Sequence, residues 1–176
     1  MTARRFLIAG VLVCGLMAVS AAAAAADQVI FLVRHSERAA AAAGTPAQGG
    51  MMANDPPLSA AGNERASKLA ALLASADVKH IFITEYLRTR QTAGPLADKT
   101  KIQPVVSAAK DPDSLMQQVG KASGNLLIVG HSNTLPDLLK RLGVNATISI
   151  EESEYDNLFI VVRQASGAAT LVRLRY

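Results

Sequence analysis

The run Val29-Ile30-Phe31-Leu32-Val33-Arg34-His35-Ser36-Glu37 joins five apolar residues to a cation, an imidazole, a hydroxyl and a carboxylate. A continuous apolar run of this length predicts a strand buried on both faces, as in a parallel sheet. In open α/β sheets, ligands bind beyond the carboxyl ends of the strands. Arg34 and His35 therefore arrive where a ligand would sit.

On its N-terminal side lies a segment of a different kind. Met1-Thr2-Ala3-Arg4-Arg5 is a basic start, Phe6 to Val19 is apolar, and Ala24-Ala25-Ala26 precedes Asp27. This pattern predicts a secretory signal peptide over 1–26, leaving 27–176 as one domain. The competing reading, an uncleaved anchor, needs a span of about 20 apolar residues, and this run is short for it. Secretion across the inner membrane to the periplasm is the expected destination, with no stable span after cleavage. The single cysteine, Cys14, lies inside the leader, so the fold is expected to rest on its core and not on disulfides. The net charge is +4, of which Arg4 and Arg5 contribute two charges. Aromatic residues make up 4% and no polybasic run is present, which argues against nucleic acid as a partner. Oligomeric state is not legible.

On the C-terminal side, strand and helix patterns alternate. Ala39 to Pro57 is rich in Gly and Pro and reads as a loop, either a lid or an insertion without a role. Ser59 is placed to cap a helix whose apolar face is Ala66, Leu69, Ala70 and Leu73. His80–Thr84 reads as a second strand, and Glu85 to about Asp98 as a helix disturbed at Gly94-Pro95. Pro104–Val106 is a short third strand. Asp111 caps a third helix, and Asn125–Gly130 is a fourth, wholly apolar strand. A helix from about Asn133 to Gly143 follows, then strands at 158–162 and 169–175. The expectation is an α/β fold: three layers, a mainly parallel central sheet with helices on both faces, and an antiparallel hairpin at one edge.

That topology makes a chemical prediction. His35 ends the first strand, His131 ends the fourth, and Arg88 lies one helical turn after the second, so with Arg34 they converge on one rim. His80, the third of the three histidines, falls at the opposite rim and reads as structural. Two guanidinium groups and two imidazoles suit a tetrahedral dianion, since arginine grips phosphate oxygens bidentately and neutral histidine is a covalent nucleophile. A metal site lacks ligand spacing here, and two arginines repel a cation. Two satisfied core histidines are the plainer reading, which the matching neighbours of both weaken.

Four segments in order resemble the histidine phosphatase superfamily, also called phosphoglycerate mutase-like. They are Leu32-Val33-Arg34-His35-Ser36-Glu37, Leu58-Ser59-Ala60-Ala61-Gly62, Thr84-Glu85-Tyr86-Leu87-Arg88-Thr89-Arg90-Gln91-Thr92-Ala93 and Val129-Gly130-His131-Ser132-Asn133. The resemblance implies a small single-domain phosphatase. His35 would become a phosphohistidine, Arg34, Arg88 and His131 would bind the phosphoryl oxygens, and water would complete hydrolysis with no cofactor and no metal. Arg90 points elsewhere on its helix.

Two departures stand out. Ser36 replaces the family's glycine and could add a hydroxyl to the phosphate site. The proton donor is not where either branch of the family has it, which leaves Glu37, Asp111, Glu154 and Asp156 as candidates. Asp111 also suits a helix cap. The functional expectation is a periplasmic, metal-independent hydrolase of phosphomonoesters or a related phosphorylated compound. The alternative is a non-catalytic phosphate-binding module of the same fold.

Overall fold

The computed structural model describes residues 27–40, 55–164 and 166–176. The leader with Cys14, and most of the Ala39–Pro57 segment, lie outside the described residues. The strands are β1 (Gln28–Arg34), β2 (Val78–Ile83), β3 (Val105–Val106), β4 (Asn125–Gly130), β5 (Asn157–Arg163) and β6 (Ala169–Arg175). They form one sheet in the order β3-β2-β4-β1-β5-β6. β3, β2, β4 and β1 pair in parallel. β5 runs antiparallel to both β1 and β6. This is the expected architecture, hairpin edge included.

Four helices cover the two faces: α1 (Ala60–Leu73), α2 (Leu87–Thr100), α3 (Pro112–Lys121) and α4 (Leu135–Arg141). The alternation of side chains along each strand divides the core in two. Phe31, Val33, Ile81, Ile83, Leu127 and Val129 pack beneath Leu69 and Leu73 of α1 and Ala93 and Leu96 of α2. Ile30, Leu32, Leu126, Ile128 and Phe159 pack beneath Leu115 and Val119 of α3 and Leu135, Leu138 and Leu139 of α4. Residues 29–33 of β1 and 126–129 of β4 are therefore apolar without interruption because both faces of these strands are covered.

Ser59 caps α1, its hydroxyl accepting from Gly62 N at 3.1 Å, and Asp111 caps α3, accepting from Ser114 N at 3.0 Å. Several boundaries differ from the sequence reading, α4 being shorter at both ends than the expected 133–143. α2 runs unbroken to Thr100 with Pro95 inside it. A proline there forfeits a hydrogen bond at a cost of roughly 3 kcal/mol. Burial of Thr92, Ala93 and Leu96 on both sides of the proline offsets that cost. β2 begins at Val78, two residues ahead of the expected start, so His80 lies inside the strand, and its ring stacks on Phe82 at 6.3 Å. It remains toward the N-terminal end of the strand, away from Arg34.

Candidate active site

β1 and β4 end side by side, with Arg34 opposite Gly130 in the register and His35 N donating to Gly130 O at 2.9 Å. The two residues that follow are His35 and His131, whose rings meet edge to face at 5.3 Å. Backbone holds the segment behind His35. Ser36 N donates to Thr92 Oγ1 at 2.9 Å, and Thr92 in turn donates to Arg88 O at 2.7 Å. Ser59 N donates to Glu37 O at 2.8 Å. A Cβ at Gly62 would stand 2.1 Å from that same Glu37 oxygen. Only glycine lets α1 abut the chain just behind the histidine.

His35 Nδ1 lies 2.8 Å from Ser36 O. A carbonyl oxygen can only accept, so Nδ1 carries the proton and Nε2 keeps its lone pair. Burial lowers the pKa of His35 to about 4, and Arg88 and Arg34 add to the effect against the opposing Ser36 hydrogen bond. The ring is neutral near pH 7, with an unprotonated nitrogen.

His131 Nε2 lies 3.1 Å from Thr84 Oγ1. Thr84 Oγ1 is 3.1 Å from Thr89 Oγ1, and Thr89 donates its one proton to the carbonyls of Thr84 and Tyr86. Thr84 must then donate to Thr89, and His131 Nε2 must donate to Thr84. That leaves the lone pair of His131 on Nδ1. Burial, then Arg88, His35 and Arg34, lower its pKa to about 3.

The arginines are held differently. Arg34 is 3% exposed. Its Nη1 donates to Glu151 O at 3.0 Å, Glu152 O at 2.9 Å and Glu154 O at 3.2 Å. Its Nη2 donates to Glu152 Oε2 at 2.8 Å. The guanidinium lies 4.1 Å over the ring of Tyr155. Arg88 lies 4.0 Å over Tyr86 and donates to Asp55 Oδ1 at 3.1 Å. Asp55 also accepts from Leu87 N, at 2.6 Å. In both arginines Nε is buried without a partner.

Arg34, His35, Arg88 and His131 thus share one cleft of about 420 Å³, whose other lining residues include Arg38, Tyr86, Lys110, Ser132, Asn133 and Glu152. Ser36 does not line it. Its side chain is fully buried and its hydroxyl has no hydrogen-bond partner. Nor do the four expected proton donors line it. Glu37 forms a two-oxygen ion pair with Arg65 at 2.7 to 2.9 Å. Asp111 is occupied as the cap of α3. Glu154 and Asp156 pair with Arg175 at 2.5 and 2.7 Å. The carboxylate that does line the cleft is Glu152, a member of the acidic run 151–156 but not one of the four expected donors. Its Oε1 accepts from Ser132 Oγ at 2.7 Å while Oε2 faces Arg34. The one sequence signal was its place in the acidic run 151–156, and a run without periodicity does not say which member turns inward.

The profile of the histidine phosphatase superfamily (branch 1) matches residues 30–110. The structure is similar to the protein histidine phosphatase SixA complexed with tungstate, with TM-score 0.61, 16% identity, and 84% of this chain and 96% of that one covered. It is similar to a candidate alpha-ribazole-5'-P phosphatase from Escherichia coli, with TM-score 0.64, 14% identity, and 86% and 97% coverage. It is also similar to phosphoglycerate mutase from Bacillus anthracis, with TM-score 0.62, 12% identity, and 86% and 94% coverage. At these identities the likeness is one of fold. No curated protein sequence matches the chain significantly.

Proposed function

The chain belongs to the histidine phosphatase superfamily, and from that premise we propose that it is a metal-independent phosphatase. It hydrolyses a phosphomonoester or related phosphorylated compound through a phosphohistidine on His35. The observation that supports this most is the state of His35: buried, neutral, with Nδ1 fixed by Ser36 O and Nε2 bearing the lone pair. A neutral imidazole in that tautomer can attack phosphorus directly. Arg34 and Arg88 supply the positive charge that phosphoryl transfer needs around the equatorial oxygens. The same two cations disfavour a divalent metal at the phosphoryl position.

In the forward step Nε2 forms a bond to phosphorus as the ester oxygen departs on the opposite side. A water then attacks phosphorus, the N–P bond breaks, and the electron pair returns to Nε2. His131 is neutral in the empty cleft; an arriving dianion favours its protonated form, which would donate to a phosphoryl oxygen. The basic start, apolar run and Ala-x-Ala end of 1–26 support export to the periplasm, with a small phosphorylated substrate there as the partner.

The test is hydrolysis of p-nitrophenyl phosphate in EDTA by the wild type and by His35→Ala. Chelator-resistant turnover that the variant abolishes, with acid-labile and base-stable phosphate trapped on the wild type alone, is the expected result. Phosphate binding without turnover across a broad substrate set would make the protein a binding module instead. Cell fractionation with N-terminal sequencing of the recovered protein tests export, the expected first residue being Asp27.

A further inference from the structure

We propose that Glu152 is the general acid and base of this reaction, protonating the leaving group as His35 attacks and deprotonating the water that later frees the histidine. The inference rests on the phosphohistidine reading above and adds to it the group that the sequence left unassigned.

The argument starts from direction. An in-line displacement by His35 Nε2, on the floor of the cleft, drives the leaving oxygen toward the mouth. A proton donor must stand there, within hydrogen-bond reach of that oxygen. Among the described residues lining the cleft, Glu152 is the one carboxylate. The remaining ionisable side chains of the lining are the two histidines, two tightly held cations, the exposed Arg38 and Lys110, and the phenol of Tyr86.

The position of Glu152 suits both steps. Its side chain is 79% exposed, so it stands at the mouth and not in the core. It is nonetheless anchored at both oxygens, by Arg34 Nη2 and by Ser132 Oγ. Ser132 follows His131, so the carboxylate is tied to the corner that carries the second histidine. Its backbone carbonyl is tied as well, accepting from Arg34 Nη1 at 2.9 Å. The loop is therefore fixed to the same guanidinium that would grip the phosphoryl group.

The charges around Glu152 explain how one group can serve twice. Ser132, Arg34 and Arg38 hold its carboxyl below the ordinary range, so it is anionic in the empty cleft. From its own loop, Glu154 is tied to Arg175. A phosphoryl dianion drawn to Arg34 weakens that guanidinium's hold and places like charge nearby. Both changes favour the protonated acid. In the first step the proton passes from Glu152 to the ester oxygen as the P–O bond breaks and the N–P bond forms. In the second, Glu152 takes a proton from water as the new O–P bond forms and the N–P bond breaks. The sum is ester plus water giving alcohol plus phosphate, with Glu152 restored.

The experiment compares kcat/KM on p-nitrophenyl phosphate, whose leaving group needs little protonation, with kcat/KM on an alkyl phosphate, whose leaving group needs it fully. Glu152→Gln should lose on the order of 10²- to 10³-fold on the alkyl ester and under about tenfold on the nitrophenyl ester. It should also accumulate phosphohistidine at steady state, because the water-activating base is gone. Glu152→Asp should recover part of the alkyl loss, and Ser132→Ala should show the same leaving-group pattern at smaller size. An unchanged thermal midpoint for Glu152→Gln, expected from its exposure, separates chemistry from folding. Equal losses on the two esters, no loss, faster alkyl turnover, or a wild type inert toward every alkyl phosphate would each overturn the role of Glu152. Turnover that survives His35→Ala would overturn the phosphohistidine reading beneath it.

Discussion

The floor of the cleft and its rim are built by different means. On the floor, His35 and His131 follow adjacent parallel strands and are held by backbone carbonyls and buried threonine hydroxyls. On the rim, Arg34 and Arg88 reach outward to carboxylates and carbonyls of segments that have no regular structure. The floor owes its geometry to the sheet, which the apolar core enforces over its whole length. The rim owes its geometry to a few charged contacts, individually worth little where they are wet. The position of His35 is thereby insulated from the loops, while that of the two guanidinium groups is not.

The contrast can be broken in several places. With His35 intact, removing charge at the rim should have the largest effect on turnover: Arg88→Ala should lower kcat/KM on the order of 10³-fold, read by steady-state kinetics on p-nitrophenyl phosphate. Its thermal midpoint should fall only modestly, because the side chain that is lost packs on Tyr86 and pairs with Asp55 outside the apolar core. Behind the floor, where α1 abuts the chain that follows His35, the cost falls on stability. Gly62→Ala places a Cβ against Glu37 O, and helix propensity offsets only part of the resulting strain. A loss of about 3 kcal/mol, with a midpoint lower by about 10 °C, is the expected outcome in a thermal melt.

Acid should also separate the two regions. His35 and His131 titrate near 4 and 3 when folded, below the ordinary 6.5 that they regain on unfolding. As pH falls below about 6.5 the unfolded chain binds protons that the folded chain refuses. Stability is thus full above that value and is lost progressively toward pH 3 as both folded values are reached, by an amount on the order of a few kcal/mol, measurable by denaturant titration. The kcat/KM profile should lack an inflection at 6.5 from the nucleophile. The smallest effect belongs to a rim pair. Asp55→Asn relieves Arg88 of a competing carboxylate and should lower KM by no more than about threefold, since that ion pair is partly exposed.

The same division explains what could be read in advance. The sheet, its hairpin edge and the meeting of His35, His131, Arg34 and Arg88 follow from apolar runs ending in polar residues, a signal that period and length carry. The proton donor does not follow, because Glu151, Glu152, Glu154 and Asp156 are equivalent until a loop folds and chooses one. Glu37 sits two residues from His35, yet it turns to Arg65, at a distance of 28 residues that no local pattern announces. Ser36 was expected at the phosphate because the family's glycine stands there. Its side chain is fully buried instead and does not line the cleft. Pro95 predicts a disturbance of α2, but buried neighbours on that helix outweigh its cost and α2 runs through it.

Arg34 spends one nitrogen on three carbonyls of 151–154. That guanidinium is the knot by which a solvent-facing turn is moored to the interior. An anion seated in the cleft would share that guanidinium with the turn, so occupancy would reach the turn through Arg34 as well as through the Glu152 side chain. For the same reason a truncation at Arg34 would confuse two losses, a ligand for the anion and a shape for the turn, and its kinetic cost would belong to neither alone.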